Sequence, residues 1–187
     1  MDWRWHPRIQ QCALRILRGD VIAYPTEAVW GLGCDPFNQH AVEKILRLKQ
    51  RHVDKGLILV AGEIEQLSFL LDGINSEQRA QLEQSWPGHI TWLIPHKNRV
   101  PDFVSGQFDS VAVRVSTHPI IQSLCKLVDG PIVSTSANPQ GLPPARSQMA
   151  ARRYFGKENL YFSPGNVGKN ASPSVIKDLL TGRIIRA

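Results

Sequence analysis

Residues 56–62 read GLILVAG, and every position between the two glycines is apolar. A strand with one wet face alternates polar and apolar side chains. A short run that is apolar throughout belongs inside a sheet covered on both faces. The stretch is too short for a buried helix, so it reads as a central strand. Upstream, Ala41, Val42, Ile45, Leu46 and Leu48 recur at helical spacing, with Asn38 placed to cap the first turn. Before them VIAYP (21–25) is a short buried strand ended by a proline. Ile9, Cys12, Ala13, Ile16 and Leu17 mark a helix ahead of it, with Pro7 in the first turn and Gly19 as the stop.

Downstream, EIEQLSFLL (63–71) and SEQRAQLEQ (76–84) read as helices, and HITWLIP (89–95) and SVAVRVS (110–116) as strands. HPIIQSLCKLV (118–128) is a helix opening at Pro119 and stopping at Gly130, and PIVSTSAN (131–138) is a strand running into a polar turn. Strands alternating with helices argue for an α/β domain with helices packed on a twisted sheet. HITWLIP and SVAVRVS are joined without a helical pattern, so the sheet is expected to mix parallel and antiparallel pairs. Residues 147–187 are less regular. The 187 residues read as one domain, long enough to bury a core.

The net charge is +6, and from Arg146 onward eight basic residues stand against two acids. A second excess lies between Lys44 and Lys55, where Arg47, Lys49 and Arg51 also fall and Asp54 is the one acid. Both point to an anionic partner such as a nucleotide or RNA. Cys12, Cys34 and Cys125 are widely spaced, with no zinc-ligand pattern, and suit a reducing compartment. No apolar signal core or membrane-length run is present, which leads to the expectation of a cytoplasmic protein without a membrane partner.

Several places are able to carry chemistry. Alternation in SVAVRVS puts Ala112 and Arg114 on one face and Val111, Val113 and Val115 on the other. A mid-strand arginine needs an anion, either an internal carboxylate or that of a ligand. Ser134, Thr135, Ser136 and Asn138 lie where a strand ends, as a capped turn or as donors to phosphate oxygens. In YPTEAVWGLGCDP (24–36), Thr26, Glu27 and two glycines suggest a tight turn or a close approach of backbone to ligand. GLG is not a dinucleotide fingerprint, no Walker A motif occurs, and the six histidines form neither HExxH nor a Ser–His–Asp set.

In order, YPTEAVWGLGCDP, LKQRHVDKGLILV, WPGHITWLIP, VAVRVSTHP and PIVSTSANPQG resemble the YrdC/TsaC family of threonylcarbamoyl-adenylate synthases, and the likeness returns at PSVIKDLLTG (173–182). The resemblance implies a mixed α/β sheet around a large concave basic pocket. It also implies a nucleotidyltransferase that makes threonylcarbamoyl-AMP and pyrophosphate from L-threonine, bicarbonate (or CO2) and ATP. Partner proteins of a transfer complex then pass the group to tRNA, giving N6-threonylcarbamoyladenosine at position 37. Mg2+ would come with ATP, without dedicated protein ligands.

Lys49 and Arg51 match the family's K-x-R motif and carry the expected catalytic role as well as ATP binding. Ser136 and Asn138 match its S-x-N motif, and Lys55, Thr91 and Ser134 match further nucleotide-side positions. Thr26 and Arg114 match the threonine side, and Arg186 in the tail is a candidate for closing over the nucleotide. Departures are His52 and Gly56 in place of common prolines, His89 after WPG, and Val175 where a threonine is common. The alternative is a non-catalytic basic RNA-binding protein, for which the charged C-terminal third would speak.

Overall fold

The structure is a computed structural model, and residues 2–170 and 172–186 are described. In chain order its elements are α1 (Pro7–Leu17), β1 (Ile22–Pro25), β2 (Trp30–Gly33), α2 (Gln39–Lys49) and β3 (Ile58–Ala61). Then come α3 (Ser68–Leu71), α4 (Ser76–Ser85), β4 (Ile90–Pro95), α5 (Asp102–Ser105), β5 (Ser110–Val115) and α6 (Pro119–Leu127). The chain continues with β6 (Ile132–Ser136), α7 (Gln148–Phe155), β7 (Tyr161–Phe162), β8 (Val175–Asp178) and β9 (Ile184–Arg186). Among the described residues the strands form one sheet in the order β7-β1-β2-β6-β3-β5-β4-β8-β9. The apolar run that opened the sequence is the middle strand, paired parallel with β5 and antiparallel with β6. The sheet is mixed, and β4 and β5 are antiparallel as expected, although their connection holds the single helical turn α5, where the sequence showed no helical pattern.

Helix ends follow local chemistry. The Asn38 side chain accepts from Ala41 N–H at 3.1 Å and caps α2. Gly19, at φ +83°, ends α1 with Asp20 N–H bonded back to Arg15 C=O at 2.9 Å. At the end of α6 the left-handed residue is Asp129, one position before the glycine expected as the stop. Residues 63–71 are not one helix: a 3-10 turn at Ile64–Leu67 leads into the single turn of α3. Glu63 and Gln66 form a reciprocal capping box that fixes this tighter start.

One face of the sheet carries Leu59, Val111, Val113, Val115 and Val133 and is covered by α2, α3, α4, α5 and α7. On α2 this contact buries Ala41, Val42 and Ile45, about 1.5–3 kcal/mol for each of the two larger side chains. The opposite face carries Ile22, Tyr24, Val60 and Ile132 and is covered at one end by α1 and α6. At its other end that face is open, and there the cavity lies.

The segment around Gly31 and Gly33 is strand β2, where the sequence suggested a turn. The glycines are needed for packing against β1 and β6. A Cβ on Gly33 would stand 2.6 Å from the Tyr24 ring and 2.7 Å from Val133 C=O. Gly33→Ala is therefore expected to cost about 1–3 kcal/mol, read as a lowered urea midpoint at unchanged slope.

Candidate active site

The uncovered part of the sheet floors a cavity of about 540 Å³, a volume typical of small-molecule sites. Register builds the floor. Ser134, Ile58, Ala112 and Leu93 stand side by side on β6, β3, β5 and β4, and all four line the cavity. Gly31, Ser136, Thr91 and Ile176 extend it. The wall contains Arg51, Lys55, Arg114 and Arg186, and no Asp or Glu is among the described residues lining it.

Arg51 and Lys55 come from the loop after α2. Gly56, at φ +58°, turns this loop into β3, and a proline cannot adopt that conformation. The departure at position 56 therefore has a structural reason. Arg51 Nη2 donates to Lys55 C=O at 3.1 Å and Gly56 C=O at 2.8 Å, which aims the guanidinium. Its Nε is buried without a hydrogen-bond partner, and burial lowers its affinity for its proton. Such a donor gains from an anion in the cavity. Lys55 is exposed, and its Nζ reaches Gln140 Oε1 at 3.4 Å.

Lys49 and Asn138 are not among the residues lining the cavity. Lys49 is 5% exposed and donates to the carbonyls of Ser136 at 2.5 Å and Asn138 at 2.9 Å. It clamps the turn after β6 from behind. Burial first, and Arg51 second, lower its pKa to about 8. Asn138 Nδ2 donates to Pro139 C=O at 3.1 Å and Leu142 C=O at 2.6 Å, so this side chain braces the loop. Lys49 is the last residue of a helix whose inward face is otherwise apolar. Helical phase therefore points it under the turn, away from the open side.

Thr26 Oγ1 donates to Val29 C=O at 2.8 Å, and Thr26 lines the cavity. Arg114 Nη2 lies 3.0 Å from Glu27 Oε2, with side chains 9% and 8% exposed. The internal carboxylate left open by the sequence is thus present, and Arg114 also faces the cavity. Glu27 Oε2 nevertheless lacks a hydrogen-bond partner. The contact is one of charge, with no N–H aimed along it. Glu27 Oε1 accepts from Ser116 Oγ at 2.6 Å, and Ser116 Oγ accepts from His118 N–H at 3.0 Å. Desolvation pushes the Glu27 carboxyl up, but Arg114, Ser116 and smaller contributions from the backbone and His118 together hold it below the usual carboxylate range.

Thr91 is fully buried in β4, and its hydroxyl pairs with Ser174 Oγ at 2.8 Å. Ser174 supplies the hydroxyl in the segment where Val175 replaces a threonine. Arg186 Nη2 donates to Ser174 C=O at 2.8 Å. Glu27 and Ser174 were not assigned from sequence. Glu27 had a signal, an acid next to Thr26 that a buried arginine would need. Ser174 had none, since its partner Thr91 lies 83 positions away.

The family model for Sua5, YciO and YrdC proteins, described as "Telomere recombination", matches residues 15–187. The chain belongs to the Sua5/YciO/YrdC family. It is similar to the threonylcarbamoyl-AMP synthase of Saccharophagus degradans, at 62% identity over 100% of this chain and 97% of that one. The synthase of Cellvibrio japonicus is 48% identical over 100% and 98%. Among solved structures, Pyrococcus abyssi Sua5 complexed with L-threonine matches with TM-score 0.85 and 32% identity. That match covers 94% of this chain and 52% of the other, so this chain spans about half the length of that relative. Escherichia coli YciO, at TM-score 0.82 and 24% identity, shares the fold of the family. No helix among the described residues is long and apolar enough to cross a membrane.

Proposed function

We propose that the chain is a threonylcarbamoyl-AMP synthase, joining L-threonine, bicarbonate (or CO2) and ATP into threonylcarbamoyl-AMP with release of pyrophosphate. One observation carries the reading on this family background: one cavity is lined by Arg51, Lys55, Arg114 and Arg186 together with the hydroxyl residues Thr26, Ser134 and Ser136. ATP phosphates would take the end with Arg51, Lys55, Ser134 and Ser136, supported from behind by Lys49 and Asn138. Threonine would take the end with Thr26 and Arg114, its carboxylate meeting the guanidinium. Thr91 lies on the floor, on the strand next to that of Arg114.

The attacking group belongs to the substrate. The threonine amine adds to CO2, the resulting carbamate oxygen attacks the α-phosphate, and the bond to pyrophosphate breaks. The protein's part is to hold these groups in line and to stabilise charge on phosphorus and on the leaving group. Mg2+ is proposed to arrive on the triphosphate. The described residues place no group of three or more His, Cys, Asp or Glu for a metal, and a donor set of phosphate oxygens suits this hard cation. When bound it neutralises phosphate charge. Handover to tRNA through partner proteins, in the cytoplasm, completes the proposal.

The test is to incubate the protein with ATP, bicarbonate and threonine and to follow pyrophosphate and the adenylate by mass spectrometry. Product that requires all three substrates is expected. RNA affinity falling steeply with salt, together with no nucleotide product, would replace the reading with that of an RNA-binding protein.

A further inference from the structure

Arg186 is a cation in the cavity wall, and no carboxylate among the described residues is paired with it. Strand pairing puts it there: Thr91 on β4 is in register with Ile176 on β8, and Ile176 with Arg186 on β9. All three line the cavity. Its hydrogen bond runs to the Ser174 carbonyl, whose own hydroxyl is tied to Thr91, so the guanidinium is seated on the floor by two linked contacts. Among the described residues no acid pairs with it. Arg186 is an exposed residue whose guanidinium is partly buried, and that burial, then the charge of Arg114, lower its affinity for its proton. Strands β4 and β8 lie between those of the two arginines, and both side chains line the cavity. Glu27 already answers the charge of Arg114. Among the described residues the charge of Arg186 has no such answer.

We propose that Arg186 holds the carboxylate that forms on the amine of the amino-acid substrate. This rests on the synthase reading and assigns a residue to its first chemical step. Bound threonine is a zwitterion without net charge. Its ammonium and bicarbonate give a carbamate, water and a released proton: an N–C bond forms, a C–O bond of bicarbonate breaks, and the substrate loses its ammonium charge and gains a carboxylate charge. That charge is absent when threonine binds and present when the carbamate attacks the α-phosphate. A cation that threonine alone does not require, in the same cavity as the arginine for the threonine carboxylate, fits that sequence. Interactions made only after binding accelerate the chemical step rather than tighten the substrate.

The experiment compares Arg186→Met and Arg186→Lys with the parent chain. Calorimetry of L-threonine in bicarbonate-free buffer without ATP is expected to give the same Kd within twofold for all three. Steady-state assays are expected to give Arg186→Met a KM for bicarbonate raised at least about tenfold, with Arg186→Lys in between. Without ATP, bicarbonate should tighten threonine binding to the parent and not to Arg186→Met. Threonine affinity falling in bicarbonate-free buffer would overturn the assignment and move Arg186 to the threonine carboxylate. Unchanged bicarbonate dependence in a variant that melts like the parent would overturn it too. A parent chain that makes no adenylate, yet shows the bicarbonate effect on threonine binding, would instead sink the synthase reading and leave the subsite standing.

Discussion

Lys49→Met is expected to lower kcat/KM for ATP by about a hundredfold or more while shifting the melting temperature by only a few degrees. The side chain makes two charge-assisted bonds, to Ser136 and Asn138 carbonyls, and losing them costs roughly 1–3 kcal/mol. Removing a buried ammonium returns its desolvation cost, which is of similar size, so stability changes little. Function has no such compensation. The turn carrying Ser136 loses its brace, and the phosphate end loses a positive charge behind it. If ATP use were unchanged in a folded Lys49→Met, neither role would hold.

The pH dependence separates the two effects. With its pKa lowered to about 8, Lys49 is protonated below that value in both folded and unfolded chains, and its burial cost is then borne in full. Between about 8 and the ordinary lysine value only the unfolded chain holds the proton. This group therefore raises stability as pH rises through that window. Activity should move oppositely. kcat/KM for ATP is expected to fall above pH about 8 in the parent, and that limb should vanish in Lys49→Met.

Arg114→Ala is expected to be the most damaging substitution in the cavity, costing about 3–5 kcal/mol and abolishing dependence on threonine. It leaves the Glu27 carboxylate buried with only the Ser116 hydroxyl as a side-chain donor. In the parent the Glu27 carboxyl is held below its usual range. Its stabilising contribution is present above the unfolded-state pKa and lost as pH falls through the folded one. Without Arg114, desolvation dominates and the folded pKa rises, so the dependence reverses and stability falls as pH increases. Adding Glu27→Gln to an Arg114→Met chain should restore most of the stability but none of the threonine use. Urea titrations at several pH values and a threonine KM for each variant decide the matter. Equal pH slopes in Arg114→Ala and the parent would show that the 3.0 Å contact carries no energy.

Local spacing told most of the fold. The apolar run at 57–61, the helical stripe from Ala41 to Leu48 and the alternation at 110–116 each state their own burial, because period and face are properties of adjacent residues. Strand β2 escaped this reading, since glycines carry no side-chain pattern and Gly33 is present to make room for Tyr24 on a neighbouring strand. Strands β8 and β9 escaped it because they are short, with half-buried side chains on β8 and exposed ones on β9.

The candidate site divides in the same way. By itself the sequence determined the residue types, their order and the family motif set, and so the chemistry of a polyanion beside a small zwitterion. Only the tertiary structure decided which cations face the cavity. Lys49 and Arg51 are two positions apart, yet one lies beneath the turn after β6 and the other in the cavity wall. Arg114 meets Glu27, and Thr91 meets Ser174, across long stretches of chain. Direction and partner depend on the packing of separate segments against each other, and no spacing along one segment encodes that.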